Sequence, residues 1–243
     1  MQNSFKKKGK LFLIPVGLGS ADSSYVIPGA NSKIVQNLDE FIVENIRSAR
    51  RFLRSIGYTK DFKDVIFHVI DKHAEESDFP SYVKNTETGR DIGLLSEAGN
   101  PCIADPGNKI VAIAHQKNIT VTPLVGPSSI LLALIASGFN GQSFTFHGYL
   151  PLERKKRIQK IKELEKAIRS NRQTQIFMET PYRNQALLQD IITTCNPSSL
   201  LCIASNITLE NEYIKTMSIA GWNKQTPDLH KQPSVFLLYQ END

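Results

Sequence analysis

A chain of 243 residues with 40% hydrophobic and 22% charged residues has the ordinary composition of a globular protein that buries a real core, which excludes extended disorder. Lysine and arginine number 29 against 24 acids, a net charge of +5, so the distribution of the bases says more about an anionic partner than their total. The longest apolar stretch, 130–139, falls far short of the roughly 20 residues that cross a bilayer, and the apolar run behind Lys6, Lys7, Lys8 and Lys10 breaks at Pro15; no membrane span and no secretory signal is expected, and a cytoplasmic location follows.

In chain order, short apolar strands alternate with amphipathic helices, the pattern of α/β layers. Residues 11–15 read as a first strand, 41–43 as a second, and 44–56 as a helix stopped by Gly57; strands over 65–69 and 92–95 follow. A helix over 108–116 comes after Asp105-Pro106-Gly107, where an N-cap acid and a proline in the first turn suit a helix entrance. Beyond Thr120-Val121-Thr122-Pro123 come a helix over 128–137 ending at Gly138, a strand over 143–147 and a long basic helix over 153–169. A strand over 174–178, a helix over 181–194 and strands over 200–204, 212–218 and 234–239 complete the chain. The last strands arrive with little helix between them, which predicts an antiparallel or mixed sheet. The expected organisation is two α/β domains, 1–121 and 122–243, without internal repeats.

Cys102, Cys195 and Cys202 have no Cys-x-x-Cys spacing and read as reduced thiols, while His68 and His73 lack a third ligand, so no metal site is expected. Gly17-Leu18-Gly19-Ser20-Ala21-Asp22 follows the first strand but lacks the third glycine of a dinucleotide fingerprint. Ile27-Pro28-Gly29 also interrupts the helix that would receive a pyrophosphate. Bases gather at Lys6–Lys10, at Arg47, Arg50, Arg51 and Arg54, and at Arg154, Lys155, Lys156, Arg157, Lys160 and Lys162. Such groups either contact phosphates or form the solvated faces of helices.

The most informative stretch is Leu94-Leu95-Ser96-Glu97-Ala98-Gly99-Asn100-Pro101-Cys102-Ile103-Ala104-Asp105-Pro106-Gly107, with Val125-Gly126-Pro127-Ser128-Ser129 behind it. Each half leads from an apolar run into a turn of small residues that bares backbone amides, the first beside a carboxylate, at a strand end where open α/β sheets place ligands. Glu97 either offsets a sulfonium or ammonium charge or caps a helix. The amides and hydroxyls of Gly126-Pro127-Ser128-Ser129 either bind a carboxylate, or Ser128 is a plain N-cap.

These residues resemble the Ser-Asp-Ala-Gly-Thr-Pro and Asp-Pro-Gly signature of the tetrapyrrole methylase-like superfamily, the class III S-adenosylmethionine (SAM) methyltransferases. The landmarks continue through Phe146-His147-Gly148-Tyr149-Leu150-Pro151 and Ile176-Phe177-Met178-Glu179-Thr180, over roughly residues 11–240, and are most similar to the branch that methylates a cytidine ribose 2′-O of 16S rRNA. The resemblance implies a two-domain class III methyltransferase fold, α/β throughout: a Rossmann-like N-terminal domain on the acceptor side and a mixed-sheet C-terminal domain on the SAM side of a cofactor cleft between them. It also implies a homodimer. SAM contacts are implied for Pro15, Ser96, Glu97, Ala98, Gly99, Ile103 and Asp105, and for Gly126, Pro127, Ser128, Met178 and Pro233, with Asn206, Thr208 and Ser234 as weaker candidates; Met178 is equally explained as core filler.

Ile14-Pro15-Val16-Gly17 stands where the rRNA enzymes carry Pro-Ile-Gly-Asn-Leu, and Glu97 is one methylene longer than the family's aspartate. Glu44-Asn45-Ile46-Arg47 stands where they carry Glu-Asp-Thr-Arg, so Asn45 removes an acid. Glu44 and Arg47, one turn apart, are either acceptor-side residues or a surface ion pair. A ribose hydroxyl must give up its proton, and Glu97, Glu44 and, behind them, His73 are the candidate acceptors. The expected function is methyl transfer to RNA, with basic helices tracking the backbone of 16S rRNA in the small ribosomal subunit. A tetrapyrrole acceptor, or a non-catalytic SAM- or RNA-binding protein, are the alternatives. Replacing Gly99 by valine is expected to fill the cofactor's space and leave the fold intact.

Overall fold

Successive side chains of β-strands point to opposite faces, and in the first half of this chain both faces are apolar, as an all-parallel sheet requires. The computed structural model describes residues 7–19, 23–70 and 74–240, in two units, Met1–Ser128 and Ser129–Asp243. The first unit comprises β1 (Lys10–Ile14), α1 (Ser23–Val26), α2 (Gly29–Val35), β2 (Glu40–Val43), α3 (Ile46–Ser55), β3 (Ile66–Val69), α4 (Phe79–Tyr82), β4 (Ile92–Leu95), α5 (Asn108–Gln116) and β5 (Thr120–Pro123). Its five strands are all parallel, in the order β3-β2-β4-β1-β5. Phe12, Ile14, Phe41 and Val43 pack on Phe52 and Leu53 of α3 on one face; Leu11, Ile42, Ile92 and Leu94 pack on Ile110 and Ala114 of α5 on the other. Gly93 belongs to the first face, where a Cβ would stand 2.6 Å from Ile14 and 2.8 Å from Phe41, so only glycine lets those two side chains close over β4.

The second unit comprises α6 (Ser129–Ser137), β6 (Phe144–Tyr149), α7 (Arg154–Asn171), β7 (Thr174–Glu179), α8 (Asn184–Thr194), β8 (Leu200–Ser205), β9 (Tyr213–Ser218), α9 (Ile219–Lys224) and β10 (Ser234–Tyr239). Its sheet is mixed: the order is β6-β7-β10-β8-β9, with β6 parallel to β7 and the other neighbours antiparallel. Phe177, Leu201 and Phe236 of the sheet bury against Ile161 and Leu164 of α7, Leu187 and Leu188 of α8, and Trp222 of α9, whose indole nitrogen donates to Leu201 O at 2.8 Å. Among the described residues no helix is long and apolar enough to cross a membrane.

The expected division at 121/122 moves to 128/129, because 120–123 is not a linker but β5, paired residue for residue with Lys10–Leu13 of β1. The helix expected over 44–56 begins at Ile46: Asn45 is its N-cap, its Oδ1 accepting from the amides of Arg47 (2.8 Å) and Ser48 (3.3 Å), which leaves Glu44 on the strand end. Asp105 does not cap α5, whose N-cap is Gly107. Arg157 is no solvated or phosphate-contacting base. It is 7% exposed, its Nε and Nη2 donating to Asp190 Oδ2 at 2.9 and 2.7 Å, while Arg154 Nε donates to Oδ1 of the same carboxylate at 2.9 Å.

Candidate active site

Strand order places β4 between β1 and β2, so the chain reverses its direction of travel across the sheet there. At such a switch point the loops leaving the carboxyl ends of neighbouring strands diverge and leave a crevice. Three segments start from those ends: Pro15-Val16-Gly17 after β1, Glu44 after β2, and Ser96-Glu97-Ala98-Gly99 after β4.

The loops after β1 and β4 are bonded to each other. Val16 and Gly99 exchange amide-to-carbonyl bonds of 2.8 and 3.0 Å, and the buried Ser96 hydroxyl donates to Gly99 O at 2.6 Å. Gly99 has φ +71°, and a Cβ there would meet Leu18 at 3.3 Å and Pro127 O at 3.5 Å. Beyond it, Cys102 and Ala104 hold φ of 70° and 60°, left-handed backbone that costs a non-glycine residue about 1–2 kcal/mol. The turn between them brings the Asp105 carboxylate back under the Glu97 amide, which donates to it. The loop after β5 closes against the same place: Asn100 Nδ2 donates to Pro127 O at 3.0 Å, and Gly126 lies flat on Pro15, where a Cβ would be 2.2 Å from the ring.

Glu44, Glu97 and Asp105 thus form one group of carboxylates. Burial pushes the Glu44 carboxyl up to about 7, and the charges of Asp105 and Glu97 add to it. Burial and the charge of Glu97 push Asp105 up to about 6 against the Glu97 amide bond. Glu44 Oε1 and Asp105 Oδ2 are buried atoms without a hydrogen-bond partner among the described residues. Glu97 is exposed, and the Ser48 hydroxyl of α3 donates to its Oε1 at 2.6 Å. Glu44 and Arg47 form no ion pair, so the surface-pair reading of those two falls. Among the described residues, no three acidic, histidine or cysteine side chains are grouped to hold a metal ion.

In the second unit, the order β7-β10-β8 brings Met178, Ser234 and Asn206 to one edge of the sheet. Met178 is the half-buried residue of β7 and stands outside the core cluster. Asn206 takes an amide bond to the exposed Pro233 (2.9 Å to its carbonyl), and Asn206 and Thr208 hold φ of 51° and 72°. A β-branched residue in that region is an outlier. Glu179 Oε2, Arg183 Nε, Asn184 Oδ1 and Thr208 Oγ1 are buried there without partners among the described residues.

The family profile of the tetrapyrrole (corrin/porphyrin) methylases matches residues 10–221. The chain belongs to the tetrapyrrole methylase family. This methylase is 30% identical to the ribosomal RNA small subunit methyltransferase I of Buchnera aphidicola subsp. Schizaphis graminum over 97% of its length and 80% of the relative's. It is 30% identical to the protein of the same name from Vibrio cholerae over 96% of its length and 78% of the relative's. Among solved structures, the methyltransferase CobJ covers 96% of this chain and 94% of its own with a TM-score of 0.64 at 16% identity, a likeness of fold.

The methylase brings together most of the residues expected in its first unit. Pro15, Ser96, Glu97, Ala98, Gly99, Asp105, Gly126 and Pro127 belong to the three tied loops, and Ser128 directly precedes α6. Ile103 is exposed at the tip of the Cys102–Ala104 turn. His73, with Ser20, Ala21 and Asp22 of the glycine segment, lies outside the described residues. Sequence reasoning missed Ser48 as the support of Glu97, and Asn31, whose Nδ2 donates to Val125 O at 2.7 Å and fixes the third loop. Ser48 was within reach as the serine one turn past Glu44; Asn31 carries no comparable signal.

Proposed function

We propose that this methylase transfers a methyl group from SAM to a ribose 2′-hydroxyl of small-subunit rRNA, and that Glu44 accepts the hydroxyl proton. The observation that carries the chemistry is Glu44 itself: a carboxyl raised to about 7 with an unpartnered oxygen at the switch point. The substrate class is supported by the names borne by the relatives.

The residues present fit SAM. Gly99 holds the left-handed turn (φ +71°) that presents the exposed Glu97 and Ala98, and Glu97 and Asp105 supply negative charge where a cationic ligand is to be held. When bound, SAM supplies an electrophilic methyl group on a positively charged sulfur. Ser96, Glu97, Ala98 and Gly99 hold it from β4, with Pro15 and the Gly126-Pro127 turn beside them; Met178 and Pro233 remain contacts carried by the resemblance.

Direct displacement asks little covalent chemistry of the protein, so alignment and exclusion of water supply most of the rate. Glu44 Oε1 takes the 2′-hydroxyl proton as the oxygen becomes nucleophilic. An acid titrating near neutrality is matched to that task, being ionised often enough to accept and basic enough to pull. Ser48 fixes Glu97, whose charge keeps Glu44 basic. The same reading carries a cytoplasmic homodimer whose exposed bases on α7 meet the RNA.

The test is transfer of tritium from labelled SAM to small ribosomal subunits from cells lacking the protein, with a corrinoid precursor alongside. Label in 16S rRNA is expected. Label only in the corrinoid moves the acceptor to a tetrapyrrole, and SAM binding without transfer to either leaves a binding protein.

A further inference from the structure

On the α3 side of Glu97 lies a groove of about 470 Å³; it shares Glu97 and Ala98 with the proposed SAM contacts, but Arg51 and Ser55 on its α3 wall have no part in the chemistry above. That volume falls within the roughly 300–1,000 Å³ of small-ligand sites. Gly17 and Gly19 from the loop after β1 and Ala98 from the loop after β4 form one wall; Ser48, Arg51 and Ser55 of α3 form the other. The helical residues follow the spacing of a single face.

The α3 arginines differ in what occupies them. Arg50 lies over the rings of Phe62 and Phe67, 5.3 Å from each centroid. Arg54 lies 4.1 Å from the Phe62 centroid and donates to Tyr58 O and, at 3.0 Å, to Lys60 O. Arg47 does not line the groove. Arg51 does; it is exposed and makes no hydrogen bond or ion pair among the described residues. Glu97 lines the same groove and is also one of the charges that raise Glu44. Glu97 and Arg51 are therefore the two charged side chains on the groove wall, with Glu44 outside its lining.

We infer that this groove holds a phosphodiester of the RNA strand next to the ribose being methylated, with Arg51 as its ligand. The inference rests on the RNA reading above. Each ribose in RNA is flanked by phosphates, and the charge of Glu97 favours a phosphate seated against Arg51 rather than beside the carboxylates. Arg51 is the cation on the groove wall, and its planar guanidinium can give two parallel N–H bonds to phosphate oxygens. Glycines on the facing wall let the strand approach the backbone closely.

Small ribosomal subunits from cells lacking the protein are the probe, in methyl transfer and in equilibrium binding across a salt series. Arg51→Gln is expected to raise KM for the subunits about 5- to 20-fold with kcat within about 3-fold. It should flatten the slope of log K against log salt by about one. Arg51→Lys should recover the slope and only part of the affinity. SAM affinity, measured calorimetrically without RNA, should be unchanged in both. Lys63→Gln, an equal loss of charge in the exposed connection leading into the edge strand β3 and outside the groove lining, should match the wild type. If Arg51→Gln and Lys63→Gln give the same slope and KM, the groove does not hold a phosphate. If the wild type itself binds the subunits without salt dependence or transfers no methyl to them, the RNA reading falls and this inference falls with it.

Discussion

Replacing Glu44 by glutamine keeps the size of the side chain and removes the proton acceptor. If Glu44 takes the ribose proton, kcat should fall by about 10²–10⁴-fold, with the affinities for SAM and for ribosomal subunits within about 3-fold of wild type. The wild-type kcat should rise with pH up to about 7, where the carboxyl ionises, and then level off; the residual rate of the variant should show no such inflection. Stability must move in the opposite sense. The folded protein holds the Glu44 proton up to about 7, whereas an ordinary carboxyl releases it near 4.5, so between those values the folded state binds more protons and is destabilised as pH rises. At full value that difference is ~3.4 kcal/mol, and water reaching part of the side chain cuts it to about 1–2 kcal/mol. Urea unfolding should therefore find Glu44→Gln more stable than wild type by that amount at pH 8 and equal to it at pH 4. A variant that keeps wild-type kcat and its inflection near 7 refutes the role of Glu44. One that is inactive but no more stable at pH 8 refutes the strained carboxylate group.

Truncating Arg157 to alanine leaves Asp190 buried with half its partners, and should cost about 3–5 kcal/mol in urea unfolding; Arg157→Met, which fills the space, should cost less. Gly99→Val should abolish SAM binding in calorimetry, but φ +71° and the Val16 bonds at that residue add a backbone strain of about 1–3 kcal/mol, so the expectation of an undisturbed fold is corrected and a lower melting temperature should accompany the loss. Burial would raise the Glu40 carboxyl, but bonds from His68 (2.8 Å) and Asn85 (2.9 Å) and the Arg90 charge outweigh it and hold it below its ordinary 4.5. The unfolded chain then binds the proton first, so this stability is present above pH 4.5 and lost as pH falls through the lower folded value. Glu40→Gln should flatten the acid limb of stability against pH; an unchanged limb would show that Glu40 does not set it.

Elements with a strong period or a clear stop were legible in the sequence: α5 ends where its pattern ends, and β10 is a continuous apolar run. β5 was not, because Thr-Val-Thr-Pro on a sheet edge has half its side chains in solvent and ends in a proline. α2 was hidden by Pro28-Gly29, which reads as a break although proline before a helix only marks its start. The loops after β4 and β5 were legible because small residues and carboxylates are packed into a few positions. The group they form with Glu44 was not. Residues 44, 97 and 105 meet only because β4 inserts between β2 and β1, and the raised proton affinity of Glu44 exists only once they meet. Arg157 likewise reads as one more base on a basic helix until α8 supplies Asp190 from 33 positions away.

The loops at the strand ends hold one another by Val16–Gly99 backbone bonds, the Asn100–Pro127 bond and the seat of Gly126 on Pro15. Loops already fastened together lose little freedom when a ligand arrives, so more of the contact energy survives as affinity. The Val16 and Gly99 amides should then exchange with solvent on the timescale of the sheet rather than of surface turns. Evolution of a new acceptor on this scaffold is easier at the α3 wall, where side chains can change without untying the knot, than at the three turns that form it.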